Sequence, residues 1–217
     1  MKLIIFDLDG TVLDTLADLA AARNYALNKN GLPQRDIAEV RAFVGNGIRK
    51  LIERGVPSGT DERTTDAVHA DFSAYYALHC AEATAPYEGV RDVISALRQK
   101  GLRTAVVSNK IDSAVQLLVQ RYFPGDFDFA VGERADVRRK PAPDAVFAAL
   151  EALGVKKEDA VFVGDSEVDL ETAANAGLPC ISVTWGFKDR DFLLAHGAKT
   201  LIDTPEELLR QFGIIRN

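Results

Sequence analysis

The sequence predicts an α/β protein, a doubly wound parallel sheet of Rossmann-like type with a helical cap domain inserted into it. Two observations carry this. In three stretches an apolar-periodic helix ends at a glycine, and a short β-branched run and a polar loop follow. Between the first apolar run and the first of these units, residues 14–86 break the pattern, with helical periodicity and no convincing strand.

Leu3 to Phe6 is the opening strand. In the insert, Leu16, Leu19, Ala20, Arg23 and Leu27 fall near helical spacing behind Asp14 or Thr15 as N-cap; Ile48, Leu51 and Ile52 repeat the signal after Gly47, and a further helix spans Glu62 to His79. The first αβ unit pairs a helix over Val90 to Lys100 with a strand over Thr104 to Val107. The second runs from Asp144 through Leu153 and Gly154 to Ala160–Val163, and the third from Leu170 through Ala176 and Gly177 to Cys180–Val183. Glycine suits the left-handed position just past a helix end, and continuous apolar strands suit a sheet covered on both faces. Thr200 to Ile202 reads as an edge strand. The expected domains are therefore a core of residues 1–13 and 87–217 and a cap of residues 14–86, placed to act as a lid.

Composition narrows the function. The chain has 217 residues, 47% hydrophobic, and its formal charge of -6 comes from interspersed charges of both signs. That pattern gives no electrostatic footprint for nucleic acid or an acidic membrane, so the expected partner is a small metabolite met by local groups. The apolar start before Asp7 is too short for a signal-peptide core or a membrane span, and a cytoplasmic location is the expectation. Cys80 and Cys180 have none of the paired spacings that hold zinc or a redox disulfide. Whether the chain is a monomer or a homodimer is open.

In open α/β sheets ligands bind beyond the carboxyl ends of the strands, so the residues that follow each strand are the candidates. After the first come Asp7, Asp9, Gly10 and Thr11; after the second Ser108 and Asn109; after Val161–Val163 come Gly164, Asp165, Ser166 and Asp169; and Lys140 lies in a polar turn ahead of a helix. Carboxylates do not gather without a counter-charge, since two unit charges about 4 Å apart repel by about 4 kcal/mol at an effective dielectric near 20. A hard divalent cation resolves this, and Mg²⁺ takes oxygen ligands, with Asp7 and Asp165 as the carboxylates. With the charge offset, an aspartate oxygen can attack phosphorus, while Ser108, Asn109 and Lys140 hold the charge of the transferring group.

Asp7-Leu8-Asp9-Gly10-Thr11-Val12-Leu13-Asp14-Thr15, Val107-Ser108-Asn109-Lys110, Lys140-Pro141-Ala142-Pro143-Asp144 and Gly164-Asp165-Ser166-Glu167-Val168-Asp169 resemble the four ordered motifs of the haloacid-dehalogenase-like hydrolases. The resemblance implies a phosphatase in which Asp7 is the nucleophile and Asp9 the general acid and base. It implies that Ser108 and Lys140 bind the phosphoryl group, that Asp165 completes a Mg²⁺ shell with the backbone carbonyl of Asp9, and that Asp169 supports it. Gly10, Thr11 and Asn109 are expected at the substrate. Asp9 also has a physical reason, because the leaving alkoxide needs a proton and the attacking water then needs a base. Halide-releasing relatives lack that second aspartate. The insert is similar to the helical cap of phosphoglycolate phosphatase-like members, as are Val44-Gly45-Asn46-Gly47, Tyr87-Glu88-Gly89-Val90 and Trp185-Gly186-Phe187, so 2-phosphoglycolate is the favoured substrate.

Other signals read as structural. Asp14, Asp18 and Asp144 read as helix caps or solvated loop residues, and His69, His79 and His196 as surface or packing residues. Gly45-Asn46-Gly47-Ile48-Arg49-Lys50 lacks the last glycine and the preceding strand of a dinucleotide fingerprint. Arg49 or Lys50 is left either to meet the non-reacting anionic end of the substrate or to stand as an exposed helix charge. Neither cysteine has arginine six residues on, which disfavours a cysteine-based phosphatase. The competing expectations are a phosphatase for sugar phosphate, pyrophosphate or nucleotide, a phosphomutase, and a non-catalytic phosphate-responsive binding protein.

Overall fold

The computed structural model describes residues 1–215, which divide into two compact units, residues 1–13 with 86–215 and residues 14–85. In the first unit, β1 (Leu3–Phe6) lies at the centre of a sheet and is buried along its whole length. Two short strands, β2 (Leu13–Asp14) and β3 (Ala85–Pro86), pair where the chain leaves and re-enters. The remaining strands are β4 (Arg103–Ile111), β5 (Phe129–Glu133), β6 (Ala160–Gly164), β7 (Cys180–Val183) and β8 (Leu201–Ile202). The sheet runs β5-β4-β1-β6-β7-β8, all parallel, as a doubly wound α/β core requires.

Alternation along the strands explains why both faces must be covered. Leu3 and Ile5 join Ala105, Val107 and Phe162 in one buried cluster with Val146, Ala149 and Leu150 from one helix and Ala173 and Ala176 from another. Phe6 and Val163 project to the other face, where Val90, Val93, Ile94 and Leu208 line a small apolar cavity with them. Register is tight around the centre: Phe6 pairs with Val106 on one side and with Val163 on the other, so β1 and β6 end nearly level while β4 runs on past them.

The second unit is helical: α1 (Leu16–Lys29), α2 (Ile37–Phe43), α3 (Gly47–Gly55) and α4 (Glu62–His79). Helices α1 and α4 supply its core through Leu19, Ala22, Ala26 and Leu27 on one side and Val68, Phe72 and Tyr76 on the other. Thr15 is the N-cap residue of α1 but makes no capping bond through its side chain; instead the Leu16 amide donates to Asp14 Oδ1 at 3.1 Å. Asp18 is not a solvated cap. It is 4% exposed and accepts from the Ala83 amide (2.9 Å), the Thr84 amide (2.8 Å) and the Thr84 hydroxyl (2.7 Å), which fastens the start of this unit to its end.

The core helices are α5 (Val90–Gln99), α6 (Asp112–Tyr122), α7 (Asp144–Leu153), α8 (Glu167–Ala176), α9 (Arg190–Ala195) and α10 (Pro205–Gln211). Helix α7 ends at Gly154, whose φ of 59° is the left-handed conformation that glycine adopts without steric cost. Asp144, at the start of α7, is paired with Arg138 at 2.9 and 3.0 Å. Three differences from the sequence reading matter. Strand β4 extends past Val107 through Ser108, Asn109 and Lys110, with a register shift against β5 between Val107 and Ile111. Helix α6 and edge strand β5, which is only partly buried, lie where no element was expected. Helix α8 begins at Glu167, three residues ahead of Leu170. Among the described residues no helix is long and apolar enough to cross a membrane.

Candidate active site

The carboxyl ends of β1, β4 and β6 bring the predicted residues of the core together. Asp7 follows β1 directly, its amide bonded to Val163 O at 2.9 Å, and the residue is 8% exposed. Its Oδ1 accepts from the Leu8 amide at 2.7 Å and lies 2.9 Å from Lys140 Nζ. Lys140 also reaches Asp169 Oδ1 at 2.7 Å, while Asp169 Oδ2 accepts from the Ser166 amide (3.1 Å) and hydroxyl (2.7 Å). Both oxygens of Asp169 are thus committed, and its task is to hold Lys140 and the N-terminus of α8.

Asp165, 1% exposed, accepts from the Phe187 amide at 2.7 Å and from the Thr11 hydroxyl at 3.5 Å. Its surroundings leave no room for side chains. A Cβ at Gly10 or at Gly186 would strike the Asp165 carboxylate, and Gly10 has φ +84°, a conformation open chiefly to glycine. The Trp185 indole donates to Thr11 O at 3.1 Å and ties the loop after β7 to the loop after β1.

Several residues expected at the substrate also make contacts within the protein. Asn109 was expected on the substrate, but its side-chain amide forms a two-way clasp on the Lys140 backbone, donating to Lys140 O at 3.0 Å and accepting from Lys140 N at 2.7 Å. The Thr11 hydroxyl is directed to Asp165, and the Gly10 amide is bonded to Leu13 O at 2.9 Å. Ser108 is 7% exposed, and its Oγ accepts from the Lys110 amide at 3.3 Å. Arg49 belongs to the helical unit, where Glu53 (2.9 Å) and Asp66 engage its guanidinium; Lys50 pairs with Glu53 at 2.7 Å.

Lys110 is the residue the sequence reading gave no role. It is 5% exposed, and its Nζ lies 2.7 Å from Asp9 Oδ1. A lysine that continues the strand Ala105–Val107 with no polar residue but Ser108 and Asn109 between was the available signal, because a buried ammonium needs a carboxylate. The Phe187 amide on Asp165 had no such signal, since any residue has an amide.

Charge is concentrated here. Burial pushes the Asp7 carboxyl up from 3.8 to about 7, against the pull of Lys140. Asp165 is raised well above the usual carboxylate range by burial first, then by the charges of Asp169 and Asp7. Burial works against the Lys140 ammonium, yet Asp169 and Asp7 outweigh it and hold the group protonated beyond the ordinary lysine range. Asp7, Asp165 and Asp169 each offer an oxygen within 4.8 Å of the others. One ammonium against three buried carboxylates leaves negative charge uncompensated, and the donors are all hard oxygens. This set fits a divalent metal ion, with Asp7 and Asp165 as the side chains that would hold it, since Asp169 already meets three close donors. Asp9 is not in the cluster, since its carboxylate is turned to Lys110, so its expected share in a metal shell is through its backbone carbonyl.

The comparisons agree with this geometry. Residues 4–183 match the family described as haloacid dehalogenase-like hydrolase. A phosphoglycolate phosphatase from Pseudomonas putida is 34% identical over 215 residues, which is 96% of this chain and 78% of that protein. An N-acetylmuramic acid 6-phosphate phosphatase from Pseudomonas aeruginosa is 30% identical over 96% of this chain and 93% of its own length. A crystal structure provisionally named as a phosphoglycolate phosphatase, from Lactobacillus delbrueckii subsp. bulgaricus, is 39% identical, with a TM-score of 0.93 over 100% of this chain and 99% of that one. The sheet that aligns Asp7, Lys140 and Asp165 on one edge therefore has its counterpart in sequence and in solved structures, and the chain belongs to the haloacid dehalogenase-like hydrolases, as a phosphatase of the phosphoglycolate phosphatase-like branch.

Proposed function

We propose that this chain hydrolyses a small phosphorylated metabolite in the cytoplasm through an aspartyl-phosphate, with 2-phosphoglycolate as the favoured substrate, giving glycolate and phosphate. The observation that carries the reading is Asp7, a buried carboxylate anchored through Oδ1 by the Leu8 amide and Lys140 beside the carboxylate of Asp165. Anchoring one oxygen leaves Oδ2 to attack phosphorus as the bond to the leaving oxygen breaks. Asp9 gives that oxygen its proton. In the second step Asp9 takes a proton from water, the water oxygen attacks phosphorus, and the bond to Asp7 breaks to release phosphate. Lys110 fixes Asp9 through Oδ1, so the proton passes by way of Oδ2. Lys140 and Ser108 face the phosphoryl oxygens, and Asn109 keeps Lys140 in register. Mg²⁺, held by Asp7, Asp165 and the Asp9 carbonyl, would supply the positive charge that lets an anionic nucleophile approach an anionic phosphate.

A second reading, a sugar phosphate as substrate, is supported by the N-acetylmuramic acid 6-phosphate phosphatase relative, whose length this chain matches almost throughout. Phosphate release from 2-phosphoglycolate and a panel of sugar phosphates, with Mg²⁺ and with chelator, tests both. A Mg²⁺-dependent preference for 2-phosphoglycolate supports the first, and a sugar phosphate as best substrate replaces it with the second. An isomerised sugar phosphate without free phosphate makes the chain a mutase, and no turnover of any compound refutes the catalytic reading.

A further inference from the structure

Arg23 occupies an apolar position of α1, between Leu19 and Leu27 on the face that the helix buries, and it is 0% exposed. Its Nε, Nη1 and Nη2 are all buried, and none has a hydrogen-bond partner among the described residues. The surroundings are made for a guanidinium but supply no acceptor. The Phe43 ring lies against it with the guanidinium carbon 5.1 Å from the ring centroid. Gly55 leaves the space on another side, where a Cβ would collide with the guanidinium. Other cations flank these same two residues. Arg35 Nε donates to Gly55 O at 3.2 Å, and Arg54 Nη1 donates to Phe43 O at 3.1 Å. Glu39 is the neighbouring carboxylate, but its oxygens are committed to Arg35 (3.3 Å) and to the Asp36 amide (3.2 Å).

Burial and the charge of Arg35 lower Arg23 to about 10, which still leaves it a cation at neutral pH. A buried cation without hydrogen bonds is among the most unfavourable arrangements a protein can hold, and losing a proton is not open to it. A guanidinium presents its donors in a planar fork that fits two oxygens of one anion. We propose that Arg23 is the receptor of an internal oxyanion site in the helical unit, taking a carboxylate or a phosphate on its unpaired fork. Helix α2 is the segment that opens to admit it, because Val40 is its one buried residue while Ile37 at its start is 51% exposed.

The test compares the wild-type protein with Arg23→Met, which fills the space without charge, and Arg23→Lys, which keeps the charge without the fork. Melting temperatures are measured at constant ionic strength in chloride, inorganic phosphate and glycolate. Any binding of these anions at the active site is common to all three proteins and cancels in the comparison. At anion concentrations near ten times the dissociation constant, the wild type is expected to gain about 3 °C or more beyond the gain of Arg23→Met, with Arg23→Lys between. A larger excess in glycolate assigns the site to a carboxylate, and a larger excess in phosphate assigns it to phosphate. In chloride, Arg23→Met is expected to melt no lower than the wild type, since it removes an unpaired charge. Equal anion responses in wild type and Arg23→Met overturn the proposal. Should Arg23→Met not fold, the Arg23 Nε–H signal of ¹⁵N-labelled wild type decides: a saturable shift with phosphate or glycolate supports the site, and a signal unmoved by either refutes it.

Discussion

Replacing Asp165 by Asn takes one charge out of a buried cluster of three carboxylates without changing its shape. Asn can still accept the Phe187 amide through its oxygen, and its NH₂ group takes the place of the oxygen that faces the Thr11 hydroxyl, which can turn to accept. The neighbouring carboxyl sets an upper bound on the effect. Asp7 rises from 3.8 to about 7 in the folded protein, chiefly through burial, which corresponds to roughly 4 kcal/mol. With the folded value raised, the folded state binds the proton more tightly than the unfolded chain. The associated stability is therefore complete below the unfolded value and is lost as pH climbs through the folded one. Metal-free wild type should thus weaken between about pH 4 and pH 8, and Asp165, shifted in the same direction by burial and by Asp169 and Asp7, adds to the fall. Asp165→Asn deletes its own share. In chelator at pH 8 the variant should melt above the wild type, by no more than the roughly 10 °C that removing a fully shifted carboxyl such as Asp7 would give. Near pH 4 the two should converge. Mg²⁺ should raise the melting temperature of the wild type at pH 8 and leave the variant nearly unmoved. Differential scanning calorimetry across pH, with Mg²⁺ and with chelator, reads all of this. A variant less stable than the wild type at pH 8 in chelator, or one stabilised equally by Mg²⁺, would refute the charge argument.

Three further substitutions test the site directly. Asp7→Asn should abolish phosphate release, by roughly a thousandfold or more, while circular dichroism stays unchanged; activity within tenfold of wild type would remove Asp7 as nucleophile. Asn109→Ala breaks both hydrogen bonds that clasp the Lys140 backbone, at a cost of about 1–3 kcal/mol, and steady-state kinetics should show a fall in kcat/KM of roughly tenfold or more with Lys140 itself intact. Gly186→Ala drives a methyl group into the Gly10 backbone and the Asp165 side chain, so metal affinity by isothermal titration should drop together with turnover; unaltered Mg²⁺ binding would show that the loop after β7 yields freely.

The sheet was legible because its signals are local. Leu3–Phe6 and Cys180–Val183 are short apolar runs, and Asp144–Leu153 and Glu62–His79 carry their caps in sequence; each element has the bounds read for it. Strand β5 escaped because an edge strand is covered incompletely and so lacks a clean apolar pattern, and Gly132 interrupts its run. The residue types of the site were legible in the same way, since all but Lys140, which lies in a polar turn ahead of a helix, follow a strand. Their division of labour was not. Asn109 meets Lys140 across 31 residues, Lys110 meets Asp9 across 101, and Asp18 reaches Thr84 across 66. Which partner a polar side chain finds at such a distance is decided by packing, and a strand-end position says only that one exists. Arg23 is the instructive case: helical spacing put it on the buried face, and the burial is real, although charge would argue for solvent.

The clasp of Asp18 on Ala83 and Thr84 has a bearing on how the chain tolerates its long excursion. Three hydrogen bonds join positions 65 and 66 residues apart, next to the point where β2 and β3 pair. The entropy of closing that loop is met at its neck, inside the helical unit, and is not charged to the sheet. What lies between Asp18 and Ala83 can then be lengthened, shortened or exchanged while β1 keeps its register with β4 and β6. An insert fastened in this way is a cassette, and its contents can change without moving Asp7.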